Sequence, residues 1–248
     1  MRYFFEISYK GKNYNGWQTQ SNGIGIQTLV EEALSKLLRE EIKIVGSGRT
    51  DTGVHCEQQF FHADINKQID ETQLTWRLNT MLPHDIVIGS IRKVKPNASA
   101  RYSATMRSYQ YRITTHKNPF ITEYALHYFK PLNVQTMNKA AALLCGTHDF
   151  QCFSKVKTDV NHFNCTVHKA EWVQKGNMLL FNISANRFLR GMVRAIVGTL
   201  LEVGEGRLTL KDFKAIVNSK DRKKAGANVA AHGLYLTSVK YPASIFIK

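Results

Sequence analysis

Apolar residues recur at every second position at the start of the chain, at Tyr3, Phe5, Ile7 and Tyr9, with Glu6 and Ser8 among the positions between. A period of two puts one set of side chains on one face of a strand, and these residue types favour the pleated conformation. The pattern changes after an Asn- and Gly-rich, loop-like stretch over 11–25. Ile26, Leu29, Val30, Ala33, Leu34, Leu37 and Leu38 then follow at spacings of three and four, with Glu31 and Glu32 opposite, which predicts an amphipathic helix. Short β-like stretches over 42–45 and 59–65 flank a polar, glycine-bounded insert. A second aromatic–polar alternation, Ser108-Tyr109-Gln110-Tyr111-Arg112-Ile113, predicts another strand. Further helices are predicted over 134–145, with Asn133 as N-cap and Gly146 as stop, and over 188–203. Another is predicted over 210–218, opened by Thr209 with Asp212 three residues on. Residues 234–241 read as a closing strand. Strands and helices mix without a regular β-α-β alternation, which predicts the α+β class. The strand after Arg107 looks like the opening one, a hint of two similar halves.

Composition narrows the function. The 248 residues carry 34 Lys and Arg against 19 Asp and Glu, a formal net charge of +15. With 43% hydrophobic residues, including 13 Phe, 10 Tyr and 3 Trp, there is enough to build a core, which excludes a disordered basic tail. A strongly basic folded chain points to a polyanionic partner, nucleic acid first. The apolar run over 140–145 is far short of the ~20 residues of a membrane span, and the opening residues lack the apolar core of a signal peptide. A cytoplasmic protein without a membrane partner is expected, with Cys56, Cys145, Cys152 and Cys165 as reduced thiols.

Three segments carry candidate chemistry. Gly46-Ser47-Gly48-Arg49-Thr50-Asp51-Thr52-Gly53-Val54-His55 sets a carboxylate, a guanidinium and two hydroxyls within four residues of a loop between strands. The same residues also suit an ordinary turn. A phosphate-cradling P-loop is excluded because its Gly and Lys spacing is missing. Ala100-Arg101-Tyr102-Ser103-Ala104-Thr105-Met106-Arg107-Ser108-Tyr109 interleaves Arg and Tyr, as a surface that pairs with phosphates and stacks on bases would, or as a sheet with solvated Arg would. In 186–198, Arg187, Arg190 and Arg194 form one basic stripe if helical, and Gly191 and Gly198 suggest close packing against a site. Cys145, His148, Cys152, His162, Cys165 and His168 crowd potential metal ligands, but no paired Cys-x2-Cys knuckle occurs, and no metal is expected.

In order along the chain, Gly48-Arg49-Thr50-Asp51-Thr52-Gly53-Val54-His55, Ala100-Arg101-Tyr102-Ser103-Ala104 with Arg107-Ser108-Tyr109-Gln110-Tyr111, Met192-Val193-Arg194-Ala195-Ile196-Val197-Gly198 and Gly233-Leu234-Tyr235-Leu236 resemble the tRNA pseudouridine synthase A family. Gly16-Trp17-Gln18 and Ile26-Gln27-Thr28 fit the same resemblance. The likeness implies two α+β halves whose mostly antiparallel sheets join across a basic central cleft. Here these would be 1–105, carrying the Arg-Thr-Asp loop, and 106–248, carrying Tyr109, Arg194 and the Gly-Leu-Tyr-Leu strand. It implies isomerisation of uridine to pseudouridine at tRNA positions 38, 39 and 40 in the anticodon stem-loop, by a homodimer. Asp51 matches the nucleophile, Tyr109 the catalytic tyrosine held over the target uracil that helps remove its C5 proton, and Arg194 the partner of the nucleophile. Arg49 is similar to the residue that moves the base out of the stack, and Arg101 to a further RNA contact. Leu234 and Leu236 match the apolar wall of the pocket. Three departures occur: Tyr102 stands where Phe is common, Arg190-Gly191 precedes Met192, and 225–230 lacks a proline.

The residues suit that chemistry. Exchanging an N-glycosidic bond for a C–C bond is redox-neutral and needs no donor, so no cofactor is expected. It needs an ionised carboxylate as nucleophile and a cation that keeps it charged once water is excluded. A base inside a stem must be extruded, and an aromatic face replaces its lost stacking. The rivals are a non-catalytic RNA-binding or tRNA chaperone protein, which has no need of Asp51, and an RNA-directed glycosidase, which would release free uracil.

Overall fold

A computed structural model describes residues 1–20, 23–156 and 160–247. In chain order the first elements are β1 (Arg2–Tyr9), α1 (Ile26–Leu38), β2 (Ile44–Gly46), β3 (His55–Asp64), α2 (Glu71–Met81) and β4 (Ile86–Val94). Then come β5 (Met106–Thr114), β6 (Leu126–His127), α3 (Val134–Ala142), β7 (Gly146–Asp149), β8 (Asn164–Lys175), β9 (Met178–Ala185), α4 (Met192–Gly204), α5 (Leu210–Ser219) and β10 (Leu234–Lys240). The chain is α+β, and it divides into two compact units, Met1–Thr105 with Tyr235–Lys248, and Met106–Leu234.

In the first unit β1 lies between β3 and β4, antiparallel to both, with Phe5 opposite Phe61 and Ile91. β2 pairs antiparallel with β3, and β10 joins β3 in parallel through Tyr235↔His55 and Leu236↔Cys56. The alternation read in β1 buries Tyr3, Phe5, Ile7 and Tyr9, with the Phe5 and Phe61 rings stacked at 4.7 Å. Phe4, on the other face, is also buried. It packs with Val94, Ala98 and Ala100 and against Tyr241, Ile245 and Phe246 from the end of the chain. That end explains a correction: residues 235–248 belong with the first unit, not with a half running over 106–248, because their strand and aromatics complete its sheet and its second core face. Helix α1 packs on β2 and α2, and α2 on β4. α2 is capped by Asp70, whose carboxylate accepts from Gln73 N at 2.9 Å.

In the second unit β9 lies between β5 and β8, antiparallel to both; β7 extends the sheet beyond β8, and β6 pairs in parallel with β5. Helix α4 is buried nearly all round, as a helix packed against α3 and α5 must be. Asn133 caps α3, and Thr209 with Asp212 forms a capping box on α5, as the sequence predicts. Two helix ends differ from the prediction. Helix α3 stops at Ala142, so Cys145 lies outside it and Gly146 opens β7. Helix α4 starts at Met192 because Gly191 is left-handed, at φ +74°, which leaves Arg187 and Arg190 in the preceding loop. The three arginines therefore do not form one helical stripe.

Candidate active site

The Arg-Thr-Asp loop connects β2 to β3, and its backbone is fixed at several points. Ser47 N donates to Phe60 O at 2.7 Å, Gln59 Nε2 to Gly48 O at 3.2 Å, and Val54 N to Asp51 O at 3.1 Å. The buried Thr50 shares a hydrogen bond of 2.8 Å with the Tyr9 hydroxyl, and its carbonyl accepts from Trp17 N at 3.2 Å. Gly16 makes that approach possible, since a Cβ there would sit 2.3 Å from Thr50 O and 3.0 Å from the Asp51 carbonyl carbon. The Gly-Trp pair of the 11–25 loop is thus part of the support for Asp51. On this backbone Asp51 is half-buried and Arg49 exposed. Fixed main chain under a partly exposed carboxylate holds that group in place without sealing it from solvent.

β10 supports the far end of this loop. Tyr235 stacks on His55 at 4.7 Å with 20° between the rings, and His55 Nδ1 accepts from Gly11 N at 3.2 Å. Leu234 and Leu236 are both buried, Leu236 in register with Cys56. Arg101 is exposed, with its guanidinium 5.4 Å from the Tyr102 ring centre.

In the second unit Tyr109 lies mid-strand in β5, opposite Ile183, half-buried, and its ring meets Phe188 edge-on at 5.0 Å and 85°. Edge-to-face contact fixes the plane of an aromatic ring. Phe188, which the sequence suggests as a helix residue, is instead the loop side chain that orients Tyr109; its closeness to Arg187 and Arg190 in the motif is the one signal for it. Tyr111, two residues along β5, is buried, and its hydroxyl donates to Ala230 O at 2.7 Å. Burial raises its pKa, and the positive charge of Arg194 opposes that rise.

Arg194 sits in the first turn of α4. Its Nε donates to Val229 O at 2.7 Å, and Val229 N donates back to Arg194 O at 3.3 Å. Segment 225–230 is in turn tied down by Arg222, which reaches the carbonyls of Ala225 and Gly226 at 3.1 Å each, and by Thr199 Oγ1, which accepts from Gly226 N at 2.9 Å. Gly198 faces this segment; a Cβ there would lie 1.9 Å from Ala227 O. The close packing anticipated for Gly198 is therefore against the chain's own backbone. Arg107 donates to Asn186 O at 2.9 Å, and Arg187 lies 3.2 Å from His162.

Among the Cys and His residues of 145–168, His148 lies opposite Cys165 across the β7–β8 pair. No three His, Cys, Asp or Glu side chains among the described residues are grouped to hold a metal ion. Cys152 and Cys165 are buried, and burial lifts their thiols to about 12 and about 11. His148 Nε2 instead lies 2.9 Å from Cys145 O.

The two clamped segments, around Asp51 and around Arg194, fall inside one family pattern. The profile described as tRNA pseudouridine synthase matches residues 7–103 and 140–242. The chain belongs to the tRNA pseudouridine synthase family, whose members are isomerases. A relative from Parabacteroides distasonis, named tRNA pseudouridine synthase A, is 47% identical over 246 residues, covering 99% of this chain and 98% of its own. Relatives of the same name from Porphyromonas gingivalis and Bacteroides fragilis are each 45% identical, over 251 and 247 residues, again covering 99% of this chain.

Proposed function

We propose that this chain isomerises uridine to pseudouridine in the anticodon stem-loop of tRNA, acting in the cytoplasm as a homodimer with no cofactor. The observation that carries the reading is the support under Asp51: three backbone anchors and the buried Thr50 hold a half-exposed carboxylate still. In the proposed reaction the Asp51 carboxylate adds to the uridine and the N-glycosidic bond breaks. The base turns within the enzyme and C5 bonds to the sugar carbon. The C5 proton is then removed with the help of Tyr109, N1 takes up a proton in its place and the carboxylate is released, so one proton lost is matched by one gained and no redox partner is needed. Arg194 keeps the carboxylate ionised, since a buried carboxylate without a cation would be protonated and lose its nucleophilicity. Tyr109, its ring plane set by Phe188, stacks on the flipped uracil and replaces the stacking lost in the stem. Arg49, exposed on the same loop as Asp51, moves the base out of the stack, Arg101 pairs with phosphate, and Leu234 with Leu236 form the apolar wall.

The test is a discharge assay on unmodified tRNA carrying tritium at uridine C5. Wild type should release tritium and leave pseudouridine in the anticodon stem-loop. Asp51→Ala should release none while keeping tRNA affinity within a few-fold and an unchanged melting temperature. Tight binding without release by wild type would mark a non-catalytic binder, and free uracil would mark a hydrolase.

A further inference from the structure

Residues 98–105 of the first unit combine a rigid backbone with an exposed ring. Ala98 and Ala100 are buried, and the carbonyl of Ala98 accepts from Arg2 Nη1 at 2.9 Å. Ala100 N donates to His62 Nδ1 at 3.1 Å, and its carbonyl accepts from the Tyr241 hydroxyl at 2.6 Å. Ser99 and Ser103 close the turn, with Ser99 N donating to Ser103 Oγ at 3.0 Å and Ser103 N to Ser99 O at 2.9 Å. From this pedestal Tyr102 stands 81% exposed, with the Arg101 guanidinium over its ring. An exposed aromatic ring on a backbone this fixed adds nothing to the core. The Arg101 guanidinium over the ring favours this orientation, so the ring gives up less freedom when a flat partner stacks on it.

The surrounding charge selects the partner. Between Asp85 and Glu123 the chain has seven Lys or Arg and no Asp or Glu. In the first unit these include Arg92, Lys93 and Lys95 just before the turn. A carboxylate-rich protein surface would answer the charge but leave the ring without a flat partner, whereas a polyanion with flat bases fits both the charge and the ring.

We infer that Tyr102 is a stacking platform for an unpaired nucleobase of the RNA substrate, distinct from the uridine that reacts, with Arg101 covering one ring face and pairing with an adjoining phosphate. This rests on the proposed tRNA activity. Tyr102 binds substrate and takes no part in bond changes, so its loss raises KM more than it lowers kcat.

The experiment measures Kd for unmodified tRNA at several salt concentrations, alongside steady-state kinetics, melting temperature and sedimentation. Tyr102→Leu should weaken binding about tenfold with an unchanged dependence on salt, and Tyr102→Phe should restore it. Arg101→Ala should weaken binding and reduce the salt slope by about one ion. All three variants should melt as wild type does. Wild-type affinity in Tyr102→Leu overturns the inference. So does a shift of that variant from dimer to monomer with Kd intact, which would give the ring to a second copy. A wild type that binds tRNA but forms no pseudouridine overturns the proposed activity alone, and the Kd series still decides for or against the platform.

Discussion

Arg194 donates through Nε to the carbonyl of Val229, which sets the direction of the guanidinium plane. A lysine there would keep the charge but lose both that planar geometry and the Nε donor. Arg194→Lys is expected to slow single-turnover pseudouridine formation by about ten- to a hundredfold, with tRNA affinity within a few-fold of wild type. A rate equal to wild type would show that charge alone suffices. At this scale the motifs were legible, because Asp51, Tyr109 and Arg194 sit in short strings of unusual composition. Their supports were not. Phe188 under Tyr109, and Val229 against Arg194, are contacts between residues far apart in sequence or across a turn, and only the fold reveals them. The basic stripe failed for a local reason: Gly191 turns left-handed and delays the helix past two of its three arginines.

Helix α4 carries Arg194 and is itself packed through Gly198 against the backbone at Ala227. The neighbour is a carbonyl rather than a movable side chain, so a methyl group must displace the 225–230 segment. Gly198→Ala is expected to cost about 1–3 kcal/mol in urea unfolding, the usual range for overpacking, and to lower turnover because Val229 moves with the segment. At the other end of α4, the carboxylate of Glu205 is almost fully buried. It accepts from the Tyr128 hydroxyl, from Arg207 Nε at 2.7 Å and from Lys130 Nζ at 3.0 Å. These donors, the Tyr128 hydroxyl foremost and with burial opposing, hold its pKa down to about 2 against an ordinary 4.5. The folded state therefore binds this proton less readily than the unfolded one. The stabilisation is complete above about pH 4.5 and fades as pH falls toward 2. Glu205→Gln should melt at a lower temperature than wild type at pH 7, and the difference should close at pH 2–3. Elements with a strong period, β1 and α1, or with a capping box, α5, were readable from sequence. α2 was not, since only Leu74 and Leu78 of its residues are buried, and β8 was not, since its register shifts between Val167 and Lys169.

For the molecule as a whole, the mixed pattern of strands and helices foretold the α+β class, and the +15 charge foretold an anionic partner. What the sequence did not reveal is where the last residues go. Strand pairing is decided by partners distant in the chain, and a short closing strand fits a neighbouring sheet as well as a remote one. Here it returns to β3, and Phe246 bridges to Val94. The first unit is thus interrupted at Thr105 and resumed at Tyr235, with the second unit written into the gap. That arrangement reverses the usual order in which a chain matures on the ribosome. Synthesis runs at about 5–20 residues per second, so the opening strands wait roughly ten seconds or more for their final partner. The inserted unit is complete in sequence before the unit that surrounds it, and the half bearing Asp51 is the last part of the newborn enzyme able to close.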